Sequence, residues 1–382
     1  MASAERGPAD KQQLDGTHRA RTPERTWEWI APHLREYGIT RVADITGLDV
    51  IGIPVYQAIR PAATTLSVSQ GKGADHTLAK VSAVMEAIEL WHAEHLTAVD
   101  DVRTARSLGG LSYRWDDIGC GAASFVHDDL PMYWLQGRGL LTGDIAPVPL
   151  DIVRLDATYA PRWVPHLFEP SSNGLASGNT VTEATVHALC EVIERDTMAR
   201  LGDVPGRDLV RLDLATVDDQ GCGELLERLR EAGVGLDVVA GTGRTGIPYF
   251  EVRGTADTPP HAFAGYGCHP DHRVALSRAL TEAAQSRLTG IAGSRDDDER
   301  PYPAAPRGNR PAPMSCARTM PWQALEDHSA ATLDADLDFL ADRVRRATGH
   351  EPIRVLLPSP TDIPVVKVVA PGLRVPLGTS RR

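Results

Sequence analysis

The stretch SSNGLASGNTVTEATVHALCEVIERD, residues 171–196, combines a glycine-rich turn with a helical pattern of acidic residues. At roughly 100° per residue, Glu191 and Glu194 lie within about 80° of Glu183 on the predicted helix. Alanine, leucine, valine and isoleucine side chains cluster on the other side. A charged stripe opposite an apolar one is typical of a solvated helix face, so this segment alone favours an ordinary amphipathic helix.

The same pattern recurs elsewhere in the chain, which changes that interpretation. Residues 73–89, GADHTLAKVSAVMEAIE, align without a gap on residues 178–194, GNTVTEATVHALCEVIE. A third and more degenerate copy is ALSRALTEAAQ, residues 275–285. Each copy carries acid or amide groups at positions i and i+3, one turn apart on one helix face. Small alanines would let such helices pack closely, so we predict that their acidic groups converge.

Carboxylates that converge in a partly buried space need cations, because like charges repel strongly where solvation is poor. Mg²⁺ prefers oxygen ligands and commonly combines one or two carboxylates with phosphate oxygens of a substrate. The alternative, in which each helix points its acids separately into solvent, stays open at this point. The predicted metal-binding residues are Glu86, Glu89, Glu183, Glu191 and Glu194.

The composition is that of a soluble protein, with 42% hydrophobic and 24% charged residues in a chain of 382. No apolar run approaches the roughly 18 residues of a membrane span, and no secretory segment follows the start, so we expect a cytoplasmic protein. A net charge of −11 argues against a nucleic-acid partner. The five cysteines form no CxxC pair, which favours reduced, buried thiols over zinc or disulfides.

Strand-like and helix-like segments alternate along the chain, which predicts an α/β (α+β) fold. Residues 1–15 lack periodicity and are expected to be disordered, while residues 16–382 form one domain. Thr22-Pro23 predicts the start of a helix that continues to about Tyr37, where Gly38 ends it. The proline- and charge-rich segment at about 294–318 is predicted to be a mobile loop.

The glycine-rich stretch SQGKGADHT, residues 69–77, does not form a P-loop. The pattern GxxxxGK[ST] requires Gly at position 66 and Ser or Thr at position 73, which are Leu66 and Gly73 here. Kinase and Rossmann signatures are also missing from the sequence. A nucleotide site in this chain therefore needs a different structural basis.

Taken together, SQGKG, SAVMEAIE, SSNGLASGNTVTEA and CEVIERD resemble the YcaO family, ATP-dependent enzymes that activate backbone amides of peptides. The NxxxE pattern is Asn179–Glu183, the two ExxE patterns are Glu86–Glu89 and Glu191–Glu194, and Arg195 follows the second. The resemblance extends from about residue 16 to 373. It implies a YcaO-type ATP-binding fold of internally repeated sheet–helix units, with acid-bearing helices lining a nucleotide cleft.

The resemblance also implies roles for individual residues. The five glutamates would hold Mg²⁺ ions that bridge the phosphates of ATP. Arg19 and Thr26 match a family pattern of a basic residue and a hydroxyl seven positions later, although a surface arginine is an alternative for Arg19. Arg295 is the alternative to Arg287 as a late phosphate contact, and a turn residue is an alternative for Lys72. The implied catalytic residues are Glu191, Glu194 and Arg195, and the implied cofactor-binding residues are Arg19, Thr26, Asn179, Arg195, Gln285 and Arg287.

Within the family, GTHR (16–19), LSVSQGKG (66–73) and VVKVVAPGL (365–373) are similar to the subgroup encoded beside TfuA proteins. That similarity implies exchange of a peptide carbonyl oxygen for sulfur, giving a thioamide in a ribosomally made precursor peptide. It also implies a TfuA-like partner, a sulfide or sulfur carrier, and a homodimer. Leu90 and Arg374 depart from the family pattern, which places Arg and an acid at those positions in many members.

Two rival functions stay open on the sequence. The ending VPLGTSRR lacks the PxPxP tail of azoline-forming members, yet an azoline- or macroamidine-forming cyclodehydratase of the same family is an alternative. A non-catalytic nucleotide-binding accessory protein is another. On the acidic helix face, His187 could donate to a phosphate, act as a base or simply pack, and Cys190 fits a buried thiol better than a sulfur carrier.

Overall fold

The computed structural model describes residues 11–96, 102–119, 125–156, 158, 167–168, 170–205, 208–295 and 318–374. The helices in this part are α1 (Pro23–Ile30), α2 (His76–Glu94), α3 (Leu150–Val153), α4 (Val181–Gly202), α5 (Gln220–Glu231), α6 (His272–Ala292) and α7 (Leu333–Thr348). The strands are β1 (Gln12–Leu14), β2 (Thr17–Arg19), β3 (Arg41–Asp44), β4 (Val55–Ile59), β5 (Val68–Lys72), β6 (Trp134–Gly139), β7 (Ile145–Pro149), β8 (Leu175–Ser177), β9 (Val210–Leu212), β10 (Gly235–Gly241), β11 (Tyr249–Thr255), β12 (Ala262–Cys268), β13 (Arg318–Met320), β14 (Ile353–Leu356) and β15 (Val365–Val369).

Three sheets, each followed by one long helix, make up most of the fold. The sheet β3-β4-β5 leads into α2, the sheet β7-β6-β14-β15-β8 leads into α4, and the sheet β12-β11-β10-β9-β13 leads into α6. In each unit the strand that precedes the helix lies at the edge of its sheet. This architecture confirms the predicted mixed α/β fold.

Small residues let each edge strand lie directly against its helix. A Cβ atom on Gly71 of β5 would lie 1.9 Å from the Ala83 nitrogen, and one on Gly267 of β12 would lie 2.0 Å from the Ala275 oxygen. Ala176 occupies the corresponding place in β8 and is fully buried. The predicted alanines therefore do pack closely, but against the backbone of a neighbouring strand.

The long helices begin where the sequence provides a side-chain cap. Asp75 accepts from the Leu78 N–H at 2.8 Å, and Thr180 accepts from the Glu183 N–H at 3.1 Å. Asp271 accepts from the Arg273 N–H at 2.9 Å in the same way. Each cap satisfies a backbone donor that the first helical turn leaves without a partner.

The first helix is shorter than predicted. Thr22 caps it and Pro23 occupies its first turn, as expected, but the α-helix ends at Ile30 and a 3₁₀ turn covers Ala31–His33. Pro32 explains the difference, because proline removes a backbone donor and clashes with the preceding turn of an α-helix. The prediction of a continuous helix to Tyr37 was wrong for this reason.

The predicted disorder of residues 1–15 does not extend to residues 11–15. Strand β1 pairs with β2 in an antiparallel hairpin, and the Lys11 ammonium lies 2.6 Å from the Asp336 carboxylate with both side chains fully buried. Residues 1–10 lie outside the described residues, and so does most of the predicted mobile loop, 296–317.

Candidate active site

A large cleft opens between the three long helices and the N-terminal hairpin. Its volume is about 2220 Å³, and helices α2, α4 and α6 each contribute polar side chains to its walls. The predicted site residues that line it are Arg19, Thr26, Glu86, Glu89, Asn179, Glu183, Glu191, Glu194, Arg195 and Gln285. The acids therefore converge, as predicted, instead of pointing separately into solvent.

The first ExxE pair is held by backbone and hydroxyl donors. Glu86 accepts from the Gln70 N–H at 3.0 Å, so strand β5 fixes the carboxylate of the helix that follows it. Glu89 accepts from the Ser177 N–H at 2.7 Å and from the Ser177 hydroxyl at 2.6 Å. Because Ser177 lies at the end of β8, this pair also joins the first unit to the second.

The second ExxE pair is held less tightly. Glu191 accepts from the Gly174 N–H at 3.2 Å. Glu194 has the Arg195 guanidinium at 3.8 Å, which is an ion-pair distance but too long for a hydrogen bond. Thus the described part of the protein donates hydrogen bonds to at most one carboxylate oxygen of each ExxE acid.

Burial strongly affects the protonation of these carboxylates. Desolvation raises the pKa of Glu89 to about 8 and that of Glu194 to about 7, while Arg195 opposes the rise at Glu194. It also raises the pKa of Glu86 and of Glu191, again with arginines acting in the opposite direction. Carboxylates in this condition release their protons readily only when a cation is supplied.

A separate network surrounds Glu183. The Asn179 side-chain N–H donates to both Glu183 oxygens at 3.1 Å, and the Ala20 N–H donates to one of them at 2.8 Å. The Thr26 hydroxyl donates to the Asn179 carbonyl oxygen at 2.8 Å. Arg19 lies 3.8 Å from Glu183 and completes the network. Residues that are far apart in the sequence thus meet in the wall of the cleft.

This network gives Glu183 a second role beside the predicted one. Both of its oxygens accept hydrogen bonds from protein groups, and these three bonds leave about one of the four lone-pair positions of the carboxylate for a metal ion. Glu183 also holds Asn179 in place and lies at ion-pair distance from Arg19. The sequence pattern NxxxE could not reveal the contact with the N-terminal segment, because the Ala20 donor is distant in sequence.

Several cations face the acids across the cleft. Lys72 forms an ion pair with Glu282 of α6, and this lysine together with Arg195 lowers the pKa of Glu282 despite its burial. Burial disfavours the charged form of Arg195, but Glu194, Glu282 and Glu191 outweigh it and raise the pKa of the guanidinium. The cleft therefore presents both signs of charge side by side, as a metal–phosphate complex requires.

Comparison with known proteins identifies the family. A family model described as YcaO cyclodehydratase, ATP- and Mg²⁺-binding, matches residues 70–374. The chain belongs to the YcaO family. A Rhizobium leguminosarum protein named for its position in the tfuA 3′ region is 40% identical to this YcaO chain over 381 residues, which covers 94% of this chain and 89% of that protein.

Two solved structures share the fold. The YcaO protein of Methanopyrus kandleri, bound with AMPPCP and Mg²⁺, superposes with a TM-score of 0.75 at 24% identity, covering 96% of this chain and 94% of that one. A heterocyclase in complex with substrate and cofactor superposes with a TM-score of 0.78 at 21% identity, covering 97% of this chain and 54% of that one. ATP and Mg²⁺ are thus the cofactors of this YcaO protein's family.

The ExxE acids fit Mg²⁺ by their chemistry. In the described part of the chain, one oxygen each of Glu86, Glu89 and Glu191 has no hydrogen-bond donor. No group of three or more acidic, histidine or cysteine side chains among the described residues is close enough to hold a metal by itself. Phosphate oxygens would have to complete the coordination, which is how Mg²⁺ is commonly bound in nucleotide sites.

The structure does not place Arg287 in the YcaO cleft. Its side chain is buried, and it donates to Asp49 at 2.8 Å, to the Thr258 hydroxyl at 2.9 Å and to the Pro260 carbonyl at 2.9 Å. These partners occupy the guanidinium, so the predicted phosphate contact is corrected. Arg295, the alternative named from the sequence, does line the cleft.

Sequence reasoning missed two charged side chains that line the cleft and one buried lysine that acts electrostatically on Glu191. Arg278 and Glu282 of α6 line the cleft, and Glu282 occupies the repeat position of Glu86 and Glu191. Lys367 of β15 is buried, and burial lowers its pKa to about 8 while Glu191 acts in the opposite direction. Arg278 and Glu282 lie in the third repeat copy, so the repeat could have identified them. Lys367 lies alone in an apolar strand, where no sequence motif indicates a function.

His187 and Cys190 differ in their relation to the cleft. His187 lines it and lies 3.0 Å from Arg278, whereas Cys190 is buried. Burial raises the pKa of the Cys190 thiol to about 12, which makes it a poor nucleophile or sulfur carrier.

Among the described residues, no helix combines the length and apolar character needed to cross a membrane.

Proposed function

We propose that this YcaO protein uses ATP to activate a backbone amide of a ribosomally made precursor peptide, and that sulfur then replaces the carbonyl oxygen. The observation that carries the ATP-dependent part is the convergence of buried ExxE carboxylates from α2 and α4 in one cleft with arginine and lysine side chains. The sulfur-dependent part draws support from the Rhizobium relative, whose gene lies beside tfuA according to its name.

The chemistry explains why ATP is needed. An amide oxygen is a poor leaving group, so it has to be converted to phosphate before it can depart. Hydrosulfide adds to the carbonyl carbon, and the resulting oxyanion attacks the γ-phosphorus of ATP while the bond to ADP breaks. The carbon–oxygen bond then breaks, the S–H proton leaves with phosphate, and the carbon–sulfur double bond forms. The products are a thioamide, ADP and phosphate.

The residues of the cleft have three roles in this reaction: metal binding, charge stabilisation and positioning of the nucleotide. Mg²⁺ bound through Glu86, Glu89, Glu183, Glu191 and Glu194 would offset the negative charge of the transferring phosphoryl group. Arg195 lies beside Glu194 and acts on the same charge as a fixed cation. The network of Arg19, Thr26 and Asn179 positions the nucleotide in the same cleft, and Glu183 holds this network together.

The size of the cleft favours two substrates over one. Pockets for a single small ligand typically measure about 300–1,000 Å³. The cleft of this chain measures about 2220 Å³, which leaves room for a peptide segment beside a nucleotide. In the related solved structure, a heterocyclase is in complex with both substrate and cofactor. We therefore place the peptide in the same cleft as ATP.

The test is incubation of the chain with ATP, Mg²⁺, a sulfide source, a TfuA-like partner and the precursor peptide, followed by intact-mass analysis. We expect a peptide mass that corresponds to exchange of oxygen for sulfur, with stoichiometric ADP. Glu191→Gln should abolish both products, because it removes one charge from the metal-binding set. Glu231→Gln, an exposed change on α5, is the matched control and should leave both unchanged.

A cyclodehydratase is the second candidate, because the matching family model is described in those terms. It would join a side chain or the terminus of the peptide to an amide carbon and remove the oxygen as phosphate. The same mass analysis distinguishes the two reactions, since cyclisation loses water and needs no sulfide. A non-catalytic accessory protein would give no peptide-dependent ADP release at all.

We further propose a cytoplasmic homodimer that works with a TfuA-like protein and a sulfide source or sulfur carrier. Co-expression with the tagged partner, followed by light scattering on the purified complex, measures both associations. Recovery of the chain alone and as a monomer would contradict them.

A further inference from the structure

The three repeats place a second set of equivalent residues in the cleft. Ser82, His187 and Arg278 each lie four positions before Glu86, Glu191 and Glu282, one helical turn closer to the start of α2, α4 and α6. All three line the cleft. The later positions carry carboxylates, which are acceptors, whereas the earlier positions carry a hydroxyl, an imidazole and a guanidinium, all of which can donate.

The geometry at His187 determines its tautomer. A guanidinium nitrogen of Arg278 lies 3.0 Å from Nδ1 of His187. Because a guanidinium has donors but no acceptor, Nδ1 must accept this hydrogen bond and cannot carry a proton. The imidazole is therefore neutral with its proton on Nε2. In this form it donates through Nε2 and has no free nitrogen with which to act as a base.

The surroundings of His187 support the neutral form. Burial lowers the pKa of His187 well below its usual value, and the nearby cations Arg278, Arg19 and Lys72 lower it further. His269 acts in the same direction. A neutral donor enclosed by cations has a natural partner in an anionic oxygen that enters the cleft.

The remaining donors of these side chains are available to such a ligand. In the described part of the chain, the Ser82 hydroxyl and Nε2 of His187 have no hydrogen-bond partner, and Arg278 uses one of its five N–H groups. Donors held open at equivalent positions of three helices point to a ligand with several oxygen atoms. The triphosphate of ATP has that character, and its metal would lie one turn away among the acids.

We propose that Ser82, His187 and Arg278 form a donor ring that binds the terminal phosphate oxygens of ATP, with His187 donating through Nε2–H. Arg278 has two tasks in this arrangement, since it contacts phosphate and also orients the imidazole. This inference rests on the proposed ATP-dependent function and assigns residues that the ExxE and NxxxE patterns do not include.

The test is calorimetric titration of the full chain with ATP and with AMP in the presence of Mg²⁺. His187→Phe keeps a ring but removes the donor, and we expect ATP affinity to fall about tenfold or more, as expected for a lost hydrogen bond to a charged group. AMP affinity should stay within about twofold, because AMP lacks the terminal phosphates. His187→Gln, which retains an N–H donor, should recover most of the ATP affinity.

A double-mutant cycle tests the link between the two side chains. If Arg278 orients His187, the loss of ATP affinity in the double variant His187→Phe/Arg278→Met is smaller than the product of the two single losses. His76→Phe is the matched control, since that histidine is largely exposed at the start of α2 and should bind ATP like the wild type. Far-UV circular dichroism and melting curves verify that every variant is folded.

The possible outcomes separate this inference from the proposed function. ATP binding within twofold of the wild type in folded His187→Phe overturns the donor ring and leaves the function standing. Equal losses for ATP and AMP overturn it too, because a general distortion does not distinguish phosphates. If His187→Phe does not fold, the same titration is made with His187→Gln and Ser82→Ala. The donor ring then requires that Ser82→Ala weakens ATP but not AMP binding and that His187→Gln keeps most of the ATP affinity. If the wild type binds neither nucleotide, the proposed function itself fails.

Discussion

At the scale of single residues, the site depends on carboxylates that are buried before any cation arrives. Glu89 shows this most clearly, because Ser177 donates two hydrogen bonds to one of its oxygens and its pKa still rises to about 8. Desolvation therefore outweighs the hydrogen bonds. Without a metal, the buried charge of such a residue lowers the free energy of unfolding. The same burial strengthens the attraction between the carboxylate and a cation that binds in the cleft.

This burial predicts the pH dependence of stability without Mg²⁺. The unfolded chain loses the Glu89 proton near pH 4.5 and the folded chain near pH 8, so the folded state binds more protons in between. The free energy of unfolding therefore falls as pH rises from about 4.5 to about 8. Glu89→Gln should reduce this fall in urea unfolding curves measured with a chelator. Equal pH slopes in the variant, the wild type and the control Glu231→Gln would contradict the role of Glu89.

At the scale of secondary-structure elements, the repeated unit is an edge strand packed against the helix that follows it. Gly71 lies against Ala79 and Ala83, and Gly267 lies against Ala275 and Ala279 at the same repeat positions. Only a residue without a side chain lets the two backbones approach so closely. The contact matters for function as well. Gln70 comes directly before Gly71, and its N–H donates to the Glu86 carboxylate.

Gly71→Ala tests the importance of that approach. The new Cβ atom would lie 1.9 Å from the Ala83 nitrogen and 2.4 Å from the Ala79 oxygen, and both are backbone atoms that cannot rotate away. We expect a loss of about 1–3 kcal/mol in the free energy of unfolding, as for other overpacked cores. Gly223→Ala in α5 is the control, since nothing lies within 4 Å of its Cβ position. It should be neutral or stabilising, and an equal loss in both variants would contradict the packing argument.

At the scale of the whole molecule, the start of the described chain is tied to the last helix, α7. Lys11 precedes the N-terminal hairpin and lies 2.6 Å from Asp336 of α7, with both side chains fully buried. The hairpin then carries Arg19 to within 3.8 Å of Glu183. A contact between residues separated by 325 positions thus positions an arginine that we assign to the nucleotide.

Asp336→Ala should destabilise the protein by about 3–5 kcal/mol, because it leaves the Lys11 ammonium buried without its partner. ATP affinity should fall as well, since the hairpin that carries Arg19 is released. The double variant Lys11→Met/Asp336→Leu should recover much of the stability, because no unpaired charge remains. Asp338→Ala, exposed on the same helix, should change neither quantity. Urea unfolding and calorimetry measure the two effects, and a minor loss in Asp336→Ala would contradict them.

The sequence by itself determined the repeat, the acid-bearing helices and the ExxE pairs. These features depend on local periodicity, since residues at i and i+3 share a helix face wherever the helix lies. The caps Asp75, Thr180 and Asp271 are equally local, because each accepts from an N–H two or three residues later. The same periodicity predicted that the acids of Glu86 and Glu191 would meet in one cleft.

Only the tertiary structure decided how each polar side chain is used. Glu183 accepts hydrogen bonds from Asn179 and Ala20 in addition to its predicted role, and Arg287 is buried against Asp49 instead of lining the cleft. Arg278 determines the tautomer of His187 across two helices, which no spacing could reveal. The physical reason is that hydrogen-bond partners and desolvation are set by chain segments distant in sequence, whereas helix faces are set by neighbours.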